Sequence, residues 1–167
     1  MIKIRVLKLG TVCKDKATGL EGTATHWVCD MGKKVEYLFQ PKGLNPEDGQ
    51  PVHKLILEEE RLSFRPLDIE EIEIPFEILG TQVTDSASGF SGMAVRFIRH
   101  INGCFHVSVQ PAGVLKKTRT PIKSSEFDLR ECSGKMIKKM DNKQLAASKK
   151  KHPSPTGDSF AKPMPQI

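Results

Sequence analysis

Five histidines and four cysteines are the side chains in this 167-residue chain best suited to metal binding or nucleophilic chemistry: His26, His53, His100, His106 and His152, with Cys13, Cys29, Cys104 and Cys132. The cysteines form no CxxC pair and fit no zinc spacing. Cys13, His26, Cys29 and His53 are the one set that folding would have to gather around an ion. An internal repeat argues against that set, because the residues seventy positions on from Cys13 and Cys29 are Val83 and Arg99. The reading is four reduced thiols and no metal site. No histidine stands in a recognisable catalytic string, and the acidic runs at 58–60 and 69–74 read as solvated faces rather than acid/base pairs. The expectation is a chain that is not an enzyme and uses no cofactor.

Basic side chains are the other candidates. Formal net charge is +6, and it is unevenly spread: residues 1–80 carry about −3, residues 81–130 about +4 and residues 131–167 about +5. Arg96, Arg99 and His100 flank one hairpin; Lys116, Lys117, Arg119 and Lys123 fill one loop; Lys138, Lys139, Lys149, Lys150 and Lys151 lie in the C-terminal segment. Together they make a phosphate-like footprint for an anionic partner. Aromatic residues are only 6% of the chain, which leaves few for base stacking.

The elements that must position these groups come from the repeat. "GTVCKDKATGLEG" at residues 10–22 returns as "GTQVTDSASGFSG" at residues 80–92, and the offset of seventy aligns Leu9 to Pro51 without a gap, with 12 identities in 43 positions. Two copies are too few for a solenoid and indicate two sibling modules. Each copy reads as short strands separated by turns. Val35, Tyr37 and Phe39 alternate along one strand, as do Phe105, Val107 and Val109 in the second copy. The strand before it is expected to place Thr23, Thr25 and Trp27 on one face, and Met93, Val95 and Phe97 in the second copy. Asn102-Gly103 is a strong hairpin signal, and "QPKG" or "QPAG" ends the next strand. A last strand is expected around Leu55 and Leu57, and around Phe127 and Leu129.

Asp15, Gly19 and Gly22 frame a loop that Asp85, Gly89 and Gly92 repeat. Asp bonds its own downstream backbone and Gly accepts positive φ, so the six residues read as a structural loop. The loop leads into a strand rather than a helix and lacks the Lys-Ser/Thr of a phosphate-binding loop.

The fold class expected is all-β: two tandem small SH3-like β-barrels followed by a mostly irregular basic tail. Residues 1–62 form the first module, 63–78 an acidic and apolar linker, 79–132 the second module and 133–167 the tail. The linker, with Glu70, Glu71, Glu73 and Glu77 among isoleucines, reads as an extended connector packed on the modules rather than a helix. The N-terminus has no continuous apolar run, and no stretch reaches the ~20 apolar residues of a membrane helix. The expectation is a protein without a membrane segment or signal peptide.

At motif level, "TGLEGTA" with "QPKG", and "SGFSGMA" with "NGC" and "QPAG", resemble short phage- and prophage-encoded proteins that carry one such module. The likeness covers residues 9–62 and 79–130; the first copy lacks the "NGC" and the second has Ser88 where Thr is preferred. The architecture resembles SH3-like and KOW-like small barrels. This resemblance implies a phage setting, in the virion or the host cytoplasm. The function expected is a virion structural component, a capsid decoration or head–tail protein, whose partners are other virion proteins or further copies of itself. The alternatives are a nucleic-acid-binding accessory protein and an anti-defence sponge for a nucleotide signal.

Overall fold

The computed structural model describes residues 2–137. All regular structure in them is strand, apart from one-turn 3₁₀ helices, so the fold is all-β. No helix among the described residues is long and apolar enough to cross a membrane.

The first repeat supplies β2 (Val12–Asp15), β3 (Glu21–Asp30), β4 (Val35–Pro41), β5 (Leu55–Glu58), a 3₁₀ turn (Glu59–Arg61) and β6 (Leu62–Ser63). The second supplies β8 (Gln82–Asp85), β9 (Ser91–His100), β10 (Phe105–Gln110), β11 (Ser125–Asp128), a 3₁₀ turn (Leu129–Glu131) and β12 (Cys132–Ser133). In each, the ladder order is fifth-from-first: β5-β4-β3-β2-β6 and β11-β10-β9-β8-β12, all antiparallel. No ladder joins β5 to β6 or β11 to β12 among the described residues, so neither module closes into a hydrogen-bonded barrel. Leu44 and Val114, seventy apart, each make an isolated bridge to a proline, Pro51 and Pro121, so the two long loops fold alike.

Strands β3 and β9 are ten residues long because each serves two modules. Beyond its pairing with β2, β3 runs antiparallel to β9 with His26 opposite His100, Val28 opposite Ile98 and Asp30 opposite Arg96. The two copies are therefore one continuous sheet. A β-bulge in each long strand makes this possible. Ala24 and His26 face Phe39 and Leu38, which leaves Thr25 as the extra residue; Val95 is its counterpart in β9. The freed carbonyls of Thr25 and Val95 accept hydrogen bonds from Ile101 N–H and Met31 N–H of the other module, both 2.9 Å.

The bulge also corrects the face expected from strict alternation. Ala24 and Trp27 are buried, not Thr25; Ala94 and Phe97 are buried, while Val95 is half-buried and Met93 is 44% exposed. One extra residue moves every later side chain to the other face. The core holds Trp27, Tyr37, Phe39, Leu57 and Leu62 of the first copy with Val83, Ala94, Phe97, Val107, Val109 and Leu129 of the second.

The linker is extended, as its isoleucines favour. β7 (Ile69–Ile74) pairs with β1 (Ile2–Leu7) as a separate two-stranded ribbon, Ile2 opposite Ile74 and Ile4 opposite Ile72. Opposed charges line the ribbon, with Lys3 3.5 Å from Glu71. The N-terminal strand thus pairs with the linker rather than with the first module's strands. Tyr37 ties it down: Leu7 N–H donates to the Tyr37 hydroxyl at 2.9 Å, which donates to Glu59 at 3.0 Å.

Candidate functional site

The offset of the repeat and the β3–β9 register together define a local pseudo-twofold axis. Val28 faces Ile98, and these two are also seventy apart, so the axis passes between them. Side chains two residues away on the same face stand on either side of it, at the two ends of the ladder. At one end Asp30 accepts both a short bond from Arg96 Nε and a 3.0 Å bond from Arg96 Nη2. Arg96 holds the Asp30 carboxyl below its ordinary value. The other end exchanges Asp30 and Arg96 for their counterparts His100 and His26, whose rings meet edge-on with centroids 4.2 Å apart.

Two further side chains extend that histidine pair. In the β9–β10 hairpin, His106 lies opposite Ile98 and so diagonal to His100 on one face. In the β10–β11 ladder, Glu126 lies opposite Ser108 and diagonal to His106. The His100 and His106 centroids are 4.2 Å apart. His106 Nδ1 is 2.7 Å from Glu126 Oε1, and His100 Nε2 is 3.7 Å from the same oxygen. The latter is too long for a hydrogen bond, and His100 Nε2 is buried without a hydrogen-bond partner. One donor atom each from His100, His106 and Glu126 lies within 4.8 Å of the others, the geometry of a candidate metal site.

Electrostatics keep His26 and His100 poor in protons. Burial, then the neighbouring His100 and Lys54, lowers the His26 pKa to about 4. Burial and the nearby His106 lower that of His100 as well. Thr25 Oγ1 lies 2.8 Å from His26 Nδ1 and 3.2 Å from the Leu38 carbonyl; a hydroxyl that donates to that carbonyl accepts from His26 Nδ1–H.

The sequence-expected anion footprint is divided by the fold. Arg96 is engaged by Asp30. Arg99 lies over the Phe105 ring at 5.3 Å and 4.0 Å from Glu70 of β7. His100 belongs to the histidine cluster. Lys116, Lys117, Arg119 and Lys123 are exposed on the loop after β10, and none has a salt-bridge partner among the described residues. Arg119 has φ +53°, the one left-handed non-glycine residue described; its counterpart Gly49 has φ +68°. Lys138, Lys139, Lys149, Lys150 and Lys151 lie outside the described residues.

The glycine loops are structural, with two different causes. Gly19 and Gly89 have φ +76° and +74°. Gly22 and Gly92 lack positive φ; they are strand residues on which a Cβ would sit 2.3 Å from Gln40 O and 2.2 Å from Gln110 O. Asp15, fully buried, accepts from Ala17 N–H, the Thr18 hydroxyl and Arg61, whose Nη2 is 2.6 Å away. Asp85 bonds Ser88 alike, but Glu131 stands where the first copy has Arg61, and Asp85 Oδ1 is buried without a hydrogen-bond partner.

Sequence reading placed no metal and overlooked His106 and Glu126 as a pair with His100. Their separations match no ligand spacing, because the ladder rather than the chain brings them together. The available signal was two histidines placed around the Asn102-Gly103 turn. Compared with protein-family models, curated proteins and solved structures, the chain matches none.

Proposed function

We propose that this chain is a non-enzymatic interaction protein, two SH3-like modules joined edge to edge, whose second module docks on an anionic face of an assembly neighbour. Strand order and the 3₁₀ turn before each last strand support the SH3-like description. The virion setting rests on the motif likeness of residues 9–62 and 79–130.

Arg119 carries the docking reading. The two long loops share a bridge and a turn, with Gly49 N–H bonding Asn45 O and Arg119 N–H bonding Leu115 O, both 2.8 Å. The first copy meets the left-handed position with glycine. The second keeps arginine there, although a side chain in that region costs about 1 kcal/mol. Strain retained for an exposed cation, beside Lys116 and Lys117, supports a loop selected for contact rather than stability. The first copy's loop offers Glu47 and Asp48 instead.

The test compares wild type with K116E/K117E/R119E and with a first-loop variant carrying three reversals, K42E/E47K/D48K. Virions purified from the producing lysate are assayed for the chain, and the purified chain is measured by light scattering and 260 nm absorbance at low and high salt. Incorporation abolished by the second-loop reversals and retained by the first-loop reversals supports the reading. Equal effects overturn the division of labour. Excess 260 nm absorbance removed by salt assigns the loop to nucleic acid instead. Excess that survives salt assigns a tightly held nucleotide and overturns the structural role.

A further inference from the structure

We propose that His100, His106 and Glu126 bind a divalent first-row transition-metal ion, Zn²⁺ in the first instance, with solvent in the fourth position. The site is independent of the loop contacts proposed above.

Three observations carry it. The donor set is two imidazoles and one carboxylate, a combination suited to zinc, with donors from three neighbouring strands, β9, β10 and β11. His100 Nε2 is buried and unpartnered, and its nearest acid oxygen, Glu126 Oε1, is already 2.7 Å from His106. An ion between the three would satisfy the orphaned nitrogen. Glu126 is exposed, so the site opens to solvent on one side, which leaves a route in and a position for water.

The other end of the pseudo-twofold shows that packing alone does not require these residues. The counterparts of His26, His100, His106 and Glu126 are Arg96, Asp30, Glu36 and Ile56. There the junction is closed by an ordinary Asp30–Arg96 ion pair. The histidine end therefore departs from a working solution already present in the same molecule. His26, edge-on against His100, packs the ring in place without being a ligand.

The test uses the full chain, stripped with chelator and titrated with Zn²⁺ and Co²⁺ by calorimetry, visible spectroscopy and thermal unfolding. One equivalent is expected to bind, raising the unfolding midpoint and giving Co²⁺ bands of a four-coordinate nitrogen and oxygen site. H106A and E126Q are each expected to weaken binding at least ~10-fold. H53A and H152A should leave it unchanged. E126Q is near-isosteric at an exposed position, so it reports on binding even if H106A folds poorly. Failure to bind one equivalent at ~100 μM free ion overturns the proposal. So does binding that E126Q and H106A retain, or that H53A or H152A abolishes.

Discussion

Val28 and Ile98 face each other across the β3–β9 ladder and are also each other's counterparts in the repeat. Both are buried, on the face opposite Trp27 and Phe97. A duplicated strand has thus paired with its own copy, and the pseudo-twofold through this pair makes the two modules one sheet. That continuity predicts that the two modules unfold together.

Ile98→Ala is expected to cost about 2–4 kcal/mol as a buried large-to-small change. The lone Trp27 sits in the first module and reports on it. Urea unfolding of I98A followed by Trp27 fluorescence and by circular dichroism should give one shared, lowered midpoint. Separate transitions would show that the modules unfold independently.

Asp15 makes stability depend on acid. The Arg61 guanidinium and the Thr18 hydroxyl hold its carboxyl well below its ordinary value. The unfolded state therefore binds the proton more readily, so this contribution is complete above the unfolded value of 3.8 and is lost as pH falls through the folded one. Urea midpoints taken from about pH 5 to about pH 3 should fall less steeply in D15N than in wild type.

Glu131→Arg should repair the second copy. The substitution recreates the Arg61–Asp15 arrangement beside the unpartnered Asp85 Oδ1. The thermal midpoint is expected to rise by about 2–4 °C, the shift that roughly one added hydrogen bond brings in a chain of this size. An unchanged or lowered midpoint would show that Asp85 is satisfied in another way.

Gly92→Ala and Gly89→Ala should differ in severity although both lie in the repeated loop motif. At Gly92 a Cβ meets the Gln110 carbonyl, which the ladder holds in place; the cost expected is about 3 kcal/mol or more. At Gly89 nothing lies within 4 Å, and the left-handed φ of +74° costs about 1 kcal/mol. Denaturant midpoints of the two variants test the order.

Arg119→Gly should stabilise the chain by up to about 1 kcal/mol, because glycine relieves the left-handed strain. The docking role proposed above predicts that the same variant weakens virion incorporation. Gain in the unfolding midpoint without loss of incorporation would leave the strain at Arg119 unconnected to docking.

Some of the architecture was legible because it is local. Alternation in Val35-Tyr37-Phe39 and Phe105-Val107-Val109, and the Asn102-Gly103 turn, point to strands and a hairpin from single residues, and the structure has them at β4, β10 and between β9 and β10. The Asp15 and Asp85 turns were legible for the same reason. The bulges at Thr25 and Val95 were not, since strict alternation describes a regular strand and nothing in "TATHWV" or "MAVRFI" announces an extra residue. Gly22 and Gly92 were read as turn glycines because a close backbone approach leaves no mark on neighbouring positions.

The repeat alone determined that this protein has two related all-β halves, and its charge pattern determined that the second half holds the basic loop. Only the tertiary structure decided that the halves share a sheet, because antiparallel pairing between strands seventy residues apart depends on hydrogen-bond register, which the chain order does not encode. The same register decided the chemistry at its ends. It set Arg96 on Asp30 at one end and His100 beside His26 at the other, where the β9–β10 and β10–β11 ladders add His106 and Glu126. In the sequence these six residues are separate signals; across four paired strands they become an ion pair and a candidate metal site.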